Sequence, residues 1–386
     1  MLSTRTLYNL SWLSLAAVLI ITRFIIVPAN IQMPLITGAC IYIGCHQSLK
    51  LSEIDVKTGK RNSEADAISK KDAMMFPVFG SIALFSLYIS YKFLGKEIMN
   101  KLLTTYIMLG GVAAVANTID PFFGPLFPAS WRDKKHLVHF NIPALLRKLA
   151  EGQEEFKWHY GKQDVVTHLF GLGLAILFML TKDFTVHNFF GMAFSIQALK
   201  LVSAGRFLNG FILLWGLFIY DIFWVFGTDV MVTVALSFEA PAKFMFPQSF
   251  EPLKCGILGL GDLVIPGIFI SLCLRFDDYM HCKKMKIPHH REEVPILGNF
   301  AKPYFHAVLL NYMFGLAATA LAMHFTKQAQ PALLYLVPFT TASVAYTAFR
   351  RGEFAEMMNY KEDDGKDGEK AAAPKSPKSG ENKKSK

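Results

Sequence analysis

The sequence predicts an all-α, polytopic membrane protein, and three observations carry that reading. Of 386 residues, 52% are hydrophobic and 34 are phenylalanine, and the mean hydropathy of +0.31 exceeds what a soluble domain ordinarily carries. The apolar residues come in long blocks, each near the length of about 20 residues that a membrane-spanning helix requires. The third observation is where the charge lies. The 40 Lys and Arg outnumber the 30 Asp and Glu, but they collect between the apolar blocks, which marks membrane topology and argues against a nucleic-acid-binding protein.

The first two apolar stretches, 7–27 and 34–49, are separated by the turn-like Pro28-Ala29-Asn30. They read either as two spans or as one span plus a segment at the interface. Residues 7–27 differ from a cleavable signal peptide, because the run is long, Arg23 interrupts its end and no small-residue cleavage site follows. A loop of mixed charge completes this first region, residues 1–73. A second region, 74–202, holds spans at 74–95, 102–123, 165–181 and 186–202, with a long polar loop at 124–163 that includes an amphipathic piece at 143–150. Gln197 and Lys200 turn the last of these spans toward protein rather than lipid.

A third region, 203–350, has spans near 209–227, 254–274, 304–325 and 331–349. Between the first two, residues 228–253 are too long for a tight turn and too apolar for a linker, as a segment covering a site would be. The fourth region, 351–386, is almost devoid of apolar side chains beyond Tyr360 and is predicted to be a disordered tail.

Loop charges orient the arrangement. Loops 50–73, 124–163, 203–208 and 275–302 hold 20 Lys and Arg, whereas the alternate connections 96–101, 182–185, 228–253 and 326–330 hold 5. The basic set, and with it the tail, is expected in the cytosol. Counting the first two stretches as one crossing gives about nine transmembrane helices and a lumenal N-terminus. Asn9-Leu10-Ser11 is formally a glycosylation sequon, but too close to the membrane for efficient occupancy. Lys383-Lys384-Ser385-Lys386 places lysines third and fourth from the end, a dilysine pattern read by retrieval machinery of the early secretory pathway.

Two spans carry an aspartate near their middle, Asp221 and, forty-one residues later, Asp262. Burying an ionised carboxylate at such depth costs several kcal/mol unless it is paired or hydrated, so two in adjacent spans suggest one shared site. Side by side in a low dielectric they cannot both ionise and must share a proton, as in an aspartic protease. The same placement suits a proton or cation relay in a transporter or channel, and spacing alone does not separate the two. A catalytically silent binding or chaperone-like membrane protein is a third reading.

Tyr220-Asp221, Gly259-Leu260-Gly261-Asp262 and Pro331-Ala332-Leu333 look like the YD, GxGD and PAL motifs of intramembrane aspartyl proteases, in the same order and span spacing. Within that group the chain resembles the signal peptide peptidase family more than the related presenilins, over roughly residues 70–350. The resemblance implies a presenilin-like intramembrane protease fold in the endoplasmic reticulum membrane, with Asp221 and Asp262 catalytic and no cofactor or metal. It further implies that remnant signal peptides and type II membrane proteins are substrates, and that the chain tends to form homo-oligomers. It assigns supporting roles at the site to Tyr220, Gly259, Gly261, Pro331, Ala332 and Leu333.

Several of these residues have a rationale of their own. Tyr220 is either a neighbour of the aspartate pair or a buried aromatic whose hydroxyl finds a partner. Gly259 and Gly261 either loosen the helix before Asp262 or let helices pack closely. Pro331 is an ordinary proline at a helix start, and Pro266 frees the carbonyl of Asp262. Other tempting features read as inert. The cysteines Cys40, Cys45, Cys255, Cys273 and Cys282 lack metal spacing and are odd in number, so they read as structural thiols. His281, His289 and His290 read as solvated, His168 and Lys200 as packed or snorkelling, and Glu239 as either solvated or part of a cover.

Overall fold

The computed structural model describes residues 3–49, 66–123, 126–128, 131, 136–141, 155–250, 253–286, 298, 300–326 and 330–362. Among these, the apolar blocks form α1 (Thr4–Ile21), α2 (Ala29–Ser48), α3 (Lys70–Leu94), α4 (Lys96–Phe123), α5 (Lys162–Thr181), α6 (Phe184–Leu201) and α7 (Phe207–Phe226). A short α8 (Val230–Ser237) follows, then α9 (Leu260–Met285), α10 (Pro303–Thr326), α11 (Leu333–Arg351) and a short α12 (Phe354–Asn359). Caps fix several starts. Ser69 and Asp72 form a capping box at α3, and Asp183 accepts from the Thr185 and Val186 amides at α6. Only Gly95 separates α3 from α4, at a φ of 81° that favours glycine.

The expectation of about nine spans counted the first two apolar stretches as one crossing. α1 and α2 are separate helices of 18 and 20 residues. Their ends also show which way they run. At the start of α1, Thr4 Oγ1 accepts a hydrogen bond at 2.9 Å from Lys302, which ends the basic loop before α10. Just past its other end, Arg23 pairs with Asp183 in the short connection between α5 and α6. α1 therefore runs from one face of the bundle to the other. α2 returns, so that Ser48 Oγ lies 2.7 Å from Ser271 Oγ on α9.

Six helices are long and apolar enough to cross a membrane by length and composition: α1, α3, α4, α5, α7 and α10. The centre is built by less apolar ones. α2 is almost wholly buried from Ile36 to Ser48 and packs on α1, α6, α9 and α10. Polar groups within the bundle pair with one another across helices, as the bilayer interior demands: Gln197 Nε2 donates to Thr118 Oγ1 at 3.0 Å, and Asn311 Nδ2 to Ser343 Oγ at 3.1 Å. On the outside, α3 exposes Phe76, Phe79, Ile82 and Phe85, a face suited to lipid and not to water.

Three small sheets complete the fold. β1 (Asp66–Ala67) runs parallel to β4 (Val202–Ser203), and β2 (His136–Asn141) pairs antiparallel with β3 (Glu155–Tyr160) inside the long loop. The amphipathic piece expected at 143–150 lies outside the described residues. The third sheet is a correction. Residues 254–274 were expected to be one helix, but β6 (Leu253–Gly259) pairs antiparallel with β5 (Lys243–Phe250), and α9 begins only at Leu260. Gly256, Gly259 and Gly261 lower the helix propensity of this stretch, and an antiparallel partner is at hand. The hairpin is held to α6 by Asn188, which exchanges two hydrogen bonds with Met245, and by His187 on the Lys243 carbonyl.

The expected disordered region 351–386 begins with structure. After Gly352, at φ 67°, the chain forms α12 and buries Met357 and Tyr360. Tyr360 sits among Phe207, Phe276 and Tyr279, and Glu362 pairs with Arg275 at 2.9 Å. Residues 363–386, with the dilysine pattern, lie outside the described residues.

Candidate active site

Asp221 lies in the last two turns of α7 and is 2% exposed. Its Oδ2 accepts a hydrogen bond at 3.0 Å from the backbone amide of Leu333. Leu333 is the first residue of α11, and the first amides of a helix have no partner within it. One of those donors is thus spent on Asp221. Pro331 and Ala332 are buried beside it, and the proline brings no amide of its own.

Asp262 is the third residue of α9, in its first turn. The carboxyl therefore stands at a helix N-terminus, where the partial positive charge of free amides favours an acidic side chain. It does not stand at mid-helix, as the uninterrupted apolar run suggested. It is within electrostatic reach of Asp221. α7, α9 and α11 pack on one another, so the YD, GxGD and PAL stretches converge.

A small cavity of about 60 Å³ opens beside Asp262, walled by Met33, Leu316, Thr319, Gln330 and Ala332 among others. It has room for a few water molecules and polar groups to hold them. Met33 belongs to α2, outside the stretch over which the motifs are recognisable.

The glycines divide in role. A Cβ at Gly259, the cap residue of α9, would lie 3.4 Å from Asp262 Oδ2, in contact with the carboxyl. A Cβ at Gly261 would meet nothing within 4 Å, so close packing is not its reason; it leaves space one residue from Asp262. Tyr220 faces elsewhere. Its ring packs on α3 at Gly80, and its neighbour Trp224 donates to Ser81 at 3.0 Å on the same helix.

Tyr312 of α10 touches the backbone of the candidate site and is missed by motif reasoning. Fully buried, it donates its hydroxyl to the Asp262 carbonyl at 3.3 Å. Pro266 cannot supply the usual i+4 amide to that carbonyl. Two signals existed in the sequence: a tyrosine inside an apolar span needs a partner, and a proline four residues past Asp262 creates a vacancy for one. Of the residues read as inert, Glu239 pairs loosely with Lys182 at 3.9 Å and is half exposed. The five cysteines are free thiols, four of them buried.

Comparisons with known proteins agree on one family. The family model described as signal peptide peptidase matches residues 60–364. The chain is 38% identical over 334 residues to the signal peptide peptidase of Mus musculus, covering 85% of this chain and 81% of the relative. The Homo sapiens signal peptide peptidase is 37% identical over the same shares of each chain. A probable intramembrane protease of Schizosaccharomyces pombe is 27% identical over 321 residues, 83% of this chain and 90% of that protein.

Proposed function

From the premise that the chain belongs to the signal peptide peptidase family of intramembrane aspartic proteases, we propose that Asp221 and Asp262 are its catalytic pair. They hydrolyse peptide bonds within transmembrane segments. The observation that supports this most is the Leu333 amide on Asp221, with Ala332 beside the Asp262 cavity: one helix start touches both carboxyl environments.

In this reading the pair shares one proton and acts as a unit. The ionised carboxylate takes a proton from a water held in the cavity, and the water oxygen attacks the scissile carbonyl carbon. The protonated partner donates to the carbonyl oxygen, giving a tetrahedral diol. The protonated carboxyl then gives its proton to the nitrogen while the ionised one takes a proton from a diol hydroxyl; the C–N bond breaks to leave a carboxylic acid and an amine, and the pair again holds one proton. The reaction requires neither a metal nor a covalent intermediate.

The substrate helix must unwind to expose its carbonyl, because helical amides are bonded and shielded. β6 leads directly into Asp262, and a strand of a two-stranded sheet keeps one edge on which an extended peptide can pair. The space at Gly261 admits that peptide next to Asp262. Remnant signal peptides and type II membrane proteins of the endoplasmic reticulum are the proposed substrates, with the basic loops and tail in the cytosol. The relatives carry peptidase or protease names, and the transporter or channel alternative has no support from them.

Cleavage of a synthetic signal peptide by detergent-solubilised wild type, Asp221→Asn and Asp262→Asn tests the assignment, each variant being checked for folding. Loss of cleavage in both, with inhibition of the wild type by a hydroxyl-bearing transition-state mimic, is the expected result. Equal cleavage by all three removes the aspartates from the chemistry.

A further inference from the structure

A groove of about 950 Å³ runs between α10 and α11, away from the aspartates. Its walls include Ala307, Leu310, Pro338, Phe339 and Ala342, and its mouth is formed by Arg350 and Arg351. Small side chains open it, and Pro338 leaves the Leu334 carbonyl without its usual helical partner, loosening that wall. Two polar residues in the walls, Asn311 and Ser343, are turned on each other. Asn311 Nδ2 donates to the Ala307 carbonyl at 2.8 Å and to Ser343 Oγ at 3.1 Å, so its donors are already satisfied where hydrocarbon would lie against them.

The dimensions and the charge identify the occupant. From Arg350 to Pro338 the helix rises about 18 Å, against about 15 Å for the hydrocarbon of one leaflet. At the mouth, Arg351 bonds Glu353 at 2.9 Å, while Arg350 is exposed and has no carboxylate partner among the described residues. An apolar slot one leaflet deep beneath a guanidinium pair matches a lipid whose headgroup carries net negative charge, a recognition seen generally in basic pockets between transmembrane helices. We propose that this groove is a binding site for an anionic phospholipid, with an acyl chain between α10 and α11 and the headgroup on Arg350 and Arg351.

Native mass spectrometry of the full chain, delipidated in detergent and titrated with dioleoyl phosphatidylserine or dioleoyl phosphatidylcholine, tests this. The expected result is preferential retention of phosphatidylserine, about fivefold weaker in Arg350→Gln, the share of one basic residue near the surface. Ala342→Trp, which fills the slot, abolishes retention of both lipids without altering the thermal melt, and glycerophosphoserine without acyl chains does not compete. Equal retention of the two lipids, or retention unchanged in Arg350→Gln and Ala342→Trp, overturns the proposal. So does a shift of oligomeric state in Ala342→Trp with lipid retention intact, which would make the groove an interface between copies of the chain.

Discussion

Pro266 withholds an amide from the Asp262 carbonyl, and Tyr312 supplies a hydroxyl from another helix in its place. This pairing fixes the backbone that carries one carboxyl while leaving the carboxyl itself untouched. Tyr312→Phe keeps the ring but strands a buried acceptor, at a cost of about 1–3 kcal/mol in stability. Cleavage should slow through kcat, with KM little changed. In a Pro266→Ala background, where an amide can reach the carbonyl, the same substitution should cost less; equal costs in both backgrounds would remove the link between the two residues. Gly261 permits a second prediction at this scale. Gly261→Ala meets no atom within 4 Å and should melt at or above the wild-type temperature, whereas Gly261→Leu should fold and lose cleavage. Wild-type cleavage by Gly261→Leu would mean that the substrate does not use that space.

At the scale of elements, the long helices are legible because each is an apolar block of the right length bounded by polar loops. The strand β6 is not, because Ile257 and Leu258 continue the apolar run of α9 without a break, and only the spacing of Gly256, Gly259 and Gly261 hints at a change of backbone. The YD, GxGD and PAL motifs are legible as text, yet text does not reveal that Asp262 opens a helix or that Leu333 gives its amide to Asp221. The C-terminal strap escapes for another reason: Met357 and Tyr360 are too few to read as an element until both are seen buried, Tyr360 against Phe207 and Phe276. Glu353 fastens this strap, accepting from Arg351 Nε at 2.9 Å and Tyr304 Oη at 3.0 Å. Desolvation pushes its carboxyl up, but the hydrogen bonds from Arg351 and Tyr304 and the charges of Arg351 and Lys284 outweigh it and hold the group below its ordinary range. A carboxyl depressed in the folded state stabilises it fully above the unfolded value and loses that contribution as pH falls through the folded one. Acidification below the usual glutamate range should therefore lower the melting temperature of wild type more than that of Glu353→Gln. Parallel pH profiles for the two proteins would show that the strap does not depend on this charge.

At the scale of the whole molecule, the first helix is anchored at both ends of the bundle. Lys302, 3% exposed, donates to Thr4 and to the Gly298 carbonyl and lies 4.4 Å from the Phe300 ring centroid, so the start of α1 is built into the loop before α10. Arg23 and Asp183 tie the other end to the opposite face. An α1 lying along the surface would lose both anchors. The start of α1 thus lies at the same end of the bundle as Lys302 and the start of α10, beside a loop whose excess of Lys and Arg is expected on the cytosolic side. α2 gains its importance from the same geometry, since a returning helix can bury Ile36 to Ser48 in the centre and bring Met33 to the Asp262 cavity. In sealed microsomes, a protease added outside should remove epitope tags from both ends of the chain, and Asn9 should remain unglycosylated. An N-terminal tag protected until detergent is added, or a glycan on Asn9, would place α1 the other way and dissolve the Thr4–Lys302 contact. Lys302→Met offers a check of that contact that does not depend on sidedness: it should lower the melting temperature, and in a chain already carrying Thr4→Val it should lower it by less.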